Sequence, residues 1–187
     1  MLGMNNMGIK KSLHSPVFSY RHKLIRLFWG GIYLFFFKYS PVPFFSYRRS
    51  LLRLFGAKLS SKTHIYPSAK IWFPLNLAMA RGATIGPNVI IYNQGNINIG
   101  INSIVSQGAH LCASTHDYND PLHPLILSPI TIGNNVWVCA DAFVGPGVIL
   151  AEGCVIGARA VVNKNTKNWT VYTGNPAVIV NKREPFQ

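Results

Sequence analysis

The chain has 187 residues, 49% of them hydrophobic, enough to bury a core in one domain with an extension. Its 18 Lys and Arg outweigh 5 Asp and Glu, giving a formal charge of +13 that suggests an anionic partner: lipid head groups, nucleic acid or a phosphorylated substrate. Three cysteines, Cys112, Cys139 and Cys154, are odd in number and lack metal-ligand spacing, so they read as free, structural thiols of a reducing compartment.

The first stretch, Met1 to about Pro16, is polar and reads as a tail without a signal peptide. Phe18 to Tyr39 comes next as an aromatic-rich helix candidate. Its apolar centre, Leu27 to Phe37, falls short of the roughly 20 residues a membrane span needs. Ser40-Pro41-Val42-Pro43 breaks the helix, and Phe44 to Phe55 forms a second one. On that helix Phe44, Tyr47, Leu51, Leu54 and Phe55 fall on one face, and Ser46, Arg49 and Arg53 on the other. Gly56 stands where a helix C-cap glycine belongs.

No Asp or Glu precedes Asp117. Residues 1–60 therefore read as a basic, aromatic extension, with two readings open. It is a membrane-surface anchor with basic flanks, or a helical cap over the end of the domain formed by residues 61–187. Nucleic-acid binding is not expected, because no groove-reading or stacking motif is present.

Within the domain of residues 61–187 the chain repeats from Ile65, and the clear repeats end at Val162. Ile65, Ile71 and Leu77 are six apart, and Ile85 and Ile91 restart the count. A slip near Asn93-Gln94-Gly95-Asn96 leads to Ile99, Val105 and Leu111. The period is strict from Ile132 through Val138, Val144, Leu150 and Ile156 to Val162. Small or β-branched residues recur four places on, at Val136, Ala142, Val148, Cys154 and Ala160. Neither a helix nor a lone strand repeats at six. A single-stranded parallel β-helix of hexapeptide repeats does, so the class is all-β.

Residues 114–129 interrupt the repeats. With three prolines they are expected to protrude as a loop, where function concentrates. His116 opens that loop with Asp117 beside it. Imidazole can take a proton from a hydroxyl at neutral pH, so His116 is the candidate general base. Asp117 is a candidate to orient it or to meet the acceptor. His123, Trp137 and Arg159 read as structural or surface residues. Past the repeats comes the turn Gly174-Asn175-Pro176-Ala177, then Lys182-Arg183.

The pieces Leu51-Leu52-Arg53-Leu54-Phe55-Gly56-Ala57-Lys58, Ile91-Tyr92-Asn93, Ser106-Gln107-Gly108-Ala109-His110-Leu111-Cys112, Thr115-His116-Asp117-Tyr118, Trp137-Val138, Val144-Gly145-Pro146-Gly147-Val148 and Gly174-Asn175-Pro176-Ala177 carry a resemblance. From about Ile65 to Arg183 the chain resembles the left-handed β-helix, or hexapeptide, acyltransferases, and looks most like the colanic-acid type of exopolysaccharide acetyltransferase. The resemblance implies a homotrimer with acetyl-CoA in clefts between prisms and no metal. By matching position it makes His116 the base and Asn93 an acceptor contact. It sets the main chain of Ala140 and Ala158 on the pantetheine arm, and Asn163 and Lys164 near the nucleotide end. Val178 and Asn181 depart from the pattern, where related enzymes carry arginines; Lys182 and Arg183 are offered as substitutes.

The expected function is acetyl-CoA-dependent O-acetylation of a sugar hydroxyl on a cell-surface polysaccharide or its lipid-linked precursor. The expected location is the cytoplasm, in peripheral contact with the anionic inner face of the membrane. The alternatives are transfer to an amino sugar, a free small sugar or a xenobiotic, and a non-catalytic β-helix scaffold that binds metal through histidines such as His110 and His116.

Overall fold

The computed structural model describes residues 18–186; the stretch expected as a tail lies outside them. Helix α1, Tyr20–Ile32, runs on into a π-helical turn at Tyr33–Phe37, and helix α2 spans Phe45–Leu54. The chain after them builds a parallel-stranded left-handed prism with three faces, apart from one hairpin and a C-terminal edge strand that pair antiparallel. The first face stacks Lys58–Leu59, Leu77–Met79, Ile97–Ile99, Ile130–Ile132 and Ile149–Leu150. The second runs from His64–Ile65 through Thr84–Ile85, Ile104–Val105, Trp137–Val138 and Val155–Ile156 to Thr170–Thr173 and the antiparallel edge strand Val178–Lys182. The third stacks Lys70–Ile71, Ile90–Tyr92, His110–Cys112, Phe143–Val144 and Val161–Val162.

The aliphatic column points inward as expected: Ile65, Ile85, Val138, Val144 and Leu150 are fully buried. So are Ala69, Ala142, Cys154 and Ala160 of the small column, one residue ahead of each strand. The corners demand a left-handed backbone two residues before most strands. Gly82, Asn88, Asn102, Gly108, Asn135, Asp141 and Gly153 supply it at low cost, whereas Lys62 and Arg159 adopt it with full side chains.

The slip in the repeats is geometric. Ile91 pairs with Leu111, twenty positions on, but Ile132 pairs with Leu150, eighteen on. The longer coils have three-residue strands on the first face, where Leu77 and Met79, then Ile97 and Ile99, are buried at both ends. The added residues lie at the corner leading there, so the slip at Asn93 repeats one coil earlier at Phe73. The prism is continuous through both.

The helices close the N-terminal end. Trp29, Phe37 and Leu52 are buried in the same core cluster as the prism column. The expected face of α2 is corrected in part: Leu51 and Phe55 pack against the core as expected. Phe44, Tyr47 and Leu54 are exposed, and Arg48 and Leu52 point inward. Arg48 wins that place because its guanidinium finds acceptors there: the Ile65, Pro41 and Val42 carbonyls and the Ser40 hydroxyl. A buried cation needs such a set of partners. Among the described residues, no helix is long and apolar enough to cross a membrane.

Candidate active site

The insertion is not irregular. Ser114–His116 pairs antiparallel with Leu125–Leu127, Ser114 opposite Leu127 and His116 opposite Leu125. The Asp117 amide closes on the Pro124 carbonyl at 3.0 Å. Asp120 shapes the tip, accepting from the Leu122 amide at 2.9 Å through its carboxylate and from the His123 amide through its carbonyl. A rigid hairpin therefore projects from the corner that follows the third face.

His116 sits near the end of the first hairpin strand, exposed. Its Nδ1 lies 2.5 Å from the carbonyl oxygen of His123. A carbonyl only accepts, so Nδ1 carries a hydrogen, and in the neutral ring Nε2 holds the lone pair. When neutral, the ring is thus held in the tautomer a general base requires.

The partner that orients His116 is a main-chain carbonyl. Asp117 spends its Oδ1 on the Asn119 amide at 3.0 Å, a local turn. His123 supplies the contact from a left-handed backbone, φ +43°. Sequence reading left this role unassigned; the Asp120-Pro121 turn signal was the available clue that the chain doubles back onto His116.

Asn93 is also corrected. It is fully buried at the corner after the third face, Oδ1 accepting from the Phe73 amide at 3.0 Å and Nδ2 donating to the Phe73 carbonyl at 2.7 Å. Both ends of its amide are used, so it braces the corner and has no free edge for an acceptor.

The positions matched to coenzyme contacts fall on two edges. Asn163 and Lys164 follow the third-face strand Val161–Val162, on the edge from which the His116 hairpin leaves. Asn163 lies over Gly145, where its Oδ1 would stand 2.8 Å from any added Cβ. Ala140 and Ala158 precede the third-face strands Phe143–Val144 and Val161–Val162, on the neighbouring edge; the Ala140 carbonyl accepts from the Arg159 amide at 2.9 Å. Arg183, offered as a phosphate partner, is committed elsewhere. It donates to the Asn135 and Gly153 carbonyls and stacks 4.4 Å from Phe186. Lys182 is exposed.

The thiols carry no sign of chemistry. Burial pushes Cys139 and Cys154 above their ordinary range, away from the thiolate, and Cys112 points at the Ser114 carbonyl. Among the described residues no three His, Cys, Asp or Glu side chains gather as a metal site. His110 stands between the Tyr92 and Phe143 rings, away from any second histidine.

Residues 129–164 match the family model described as bacterial transferase hexapeptide (six repeats). Over 155 residues the chain is 39% identical to a proposed colanic acid biosynthesis acetyltransferase of Escherichia coli, covering 83% of this chain and 85% of that one. It is 26% identical to the galactoside O-acetyltransferase of Escherichia coli over 127 residues, 66% and 63% of the two chains. Among solved structures, a hexapeptide-repeat acetyltransferase of Vibrio cholerae complexed with acetyl coenzyme A superposes with a TM-score of 0.80 at 22% identity, covering 92% of this chain and 94% of that one. A galactoside acetyltransferase in complex with coenzyme A gives 0.75 at 24%, covering 90% and 86%. At such identities these two show a shared fold.

Proposed function

The chain belongs to the hexapeptide-repeat acetyltransferases, and on that premise we propose that it moves the acetyl group of acetyl-CoA to a sugar hydroxyl in cell-surface polysaccharide assembly. The observation that carries this reading is the His116 imidazole, held by the His123 carbonyl with Nε2 free. The acceptor hydroxyl gives its proton to Nε2 as its oxygen attacks the thioester carbonyl carbon. The carbon–sulfur bond then breaks, and the departing thiolate takes the proton back from the imidazolium. No acyl-enzyme forms, in keeping with cysteines held as thiols.

The site is built from two copies. His116, Asn163 and Lys164 share one edge of the prism, and Ala140 and Ala158 the next, so a cleft holding both sets takes one edge from each neighbour. A homotrimer supplies three such clefts. The exposed flank residues Ile104, Trp137 and Ile149, each more than two-fifths accessible, favour the same packing.

The helical layer does both of its expected jobs in this reading. Its inner side caps the prism. Its outer side carries Leu27, Phe28, Phe35 and Phe36 in the open, with Lys23 and Lys38 among them. That surface suits shallow insertion into an anionic membrane face, where a lipid-linked acceptor lies.

The test is thiol release from acetyl-CoA against a panel of nucleotide sugars and lipid-linked oligosaccharides, followed by mild alkali on the product. An ester is cleaved and an amide is not. A base-stable product overturns O-transfer in favour of an amino-sugar acceptor, and no turnover on any saccharide overturns the reading.

A further inference from the structure

A groove of about 320 Å³ runs between α1 and the third face of the prism. That volume lies at the lower end of small-molecule sites. Arg26, Trp29 and Gly30 form its helical wall; Lys70, Trp72 and Tyr92 line the prism side. Trp29 is pinned by its Nε1, which donates to the Ile71 carbonyl at 2.7 Å, so the floor is fixed. The Arg26 guanidinium sits 4.0 Å from the Trp72 ring centre. Stacking there preorganises it and leaves its N–H edge for an anion.

Each wall thus carries one cation. No carboxylate answers them, since the chain has no Asp or Glu before Asp117 and the described ion pair joins Arg159 to Asp141. Gly30 costs α1 about 1 kcal/mol relative to alanine. Packing does not require it: an added Cβ would meet nothing within 4 Å. Its lack of a side chain keeps the groove open. Tyr92, at one end, registers with Cys112, four residues before His116.

We propose that this groove binds the apolar chain and phosphate of a lipid-linked acceptor, the phosphate meeting Arg26 and Lys70 and the chain lying against Trp29, Gly30 and Trp72. The proposal rests on the sugar-acetylation reading and deepens it, naming a lipid phosphate as the acceptor's handle. The groove opens beside the exposed apolar side of the helices, from which such a chain enters, and ends one rung from the hairpin that presents His116.

Geranyl phosphate is the probe, titrated by calorimetry into the full-length protein, with geraniol and inorganic phosphate as separate arms. Geranyl phosphate is expected to bind at least about tenfold more tightly than either. Gly30→Leu, which fills the groove, and Arg26→Gln, which removes the cation, should each weaken it about tenfold. The same variants should raise KM for a lipid-linked acceptor, leaving kcat and turnover of a water-soluble saccharide unchanged. Equal binding of geraniol and geranyl phosphate, or unaltered binding by both variants, overturns the proposal. A change in assembly size on Gly30→Leu overturns it too, because a neighbouring copy would then fill the groove. Tight, variant-sensitive binding without transfer to any acceptor keeps the groove and overturns the transferase reading alone.

Discussion

In the proposed reaction, His116 works only as well as it is aimed. With the His123 carbonyl fixing the tautomer, His116→Ala should lower turnover by about 100-fold or more, the lower range for loss of a general base. The change is confined to an exposed hairpin strand, so melting temperature and assembly size should stay as they were; near-normal turnover in the folded variant removes His116 from the reaction. A second residue-scale expectation concerns Lys62, a left-handed corner filled by a side chain that disfavours it, φ 59°. Lys62→Asn should stabilise by about 0.5–1 kcal/mol, read as a rise in Tm of about 1–4 °C. A third concerns pH. Burial lowers the pKa of His110 from 6.5, so the fold favours its neutral form. Because the folded value lies below the unfolded one, stability is full above about pH 6.5 and declines as pH falls toward the folded value. Thermal melts should show that acid-side loss, and it should shrink in His110→Asn.

At the scale of elements, α2 is held by a buried charge as well as by Leu51, Leu52 and Phe55 packed on the core. Arg48 ties the Pro41–Val42 turn to the first strand of the second face through the Pro41, Val42 and Ile65 carbonyls, of which Pro41 also accepts from the Phe44 amide. Arg48→Leu keeps the bulk and strands the Val42 and Ile65 acceptors. It should cost about 2–4 kcal/mol, in the range for unpaired buried polar groups. Chemical denaturation of wild type and variant measures it, and a loss under about 1 kcal/mol shows the contacts to be replaceable by water. The hairpin obeys the same logic: its residues leave the six-residue column, and once outside the prism it pairs with itself.

For the whole molecule, the cap and the proposed membrane-facing surface are opposite sides of one layer, which decides how to test them. Removing residues up to about 56 uncovers the end of the prism column and should yield an aggregating protein, so truncation cannot report on lipid. Point changes can: Phe28→Ser with Phe35→Ser and Phe36→Ser alters only exposed residues. Flotation with anionic vesicles at low salt should be lost in that variant and kept in wild type, weakening with salt as basic contacts are screened. Light scattering should give about three times the 20.8 kDa chain mass. A monodisperse, active monomer contradicts a cleft made from two edges.

The sequence alone determined the prism, because one inward position every six residues is written into consecutive side chains from Ile132 to Val162. It also determined where the chain leaves that prism, since residues 114–129 break the six-residue column, and it singled out His116 on chemical type. Tertiary structure decided the roles that depend on which group lies across a fold. Asn93 became a corner brace because Phe73, twenty residues earlier, is one coil beneath it. His116 is oriented by a backbone carbonyl, which every residue possesses and no side-chain pattern announces. Arg48 turned inward because carbonyls from two separate segments converge on it. Local periodicity is legible in order along the chain, whereas hydrogen-bond partners are chosen by the stacking that brings distant coils to one place.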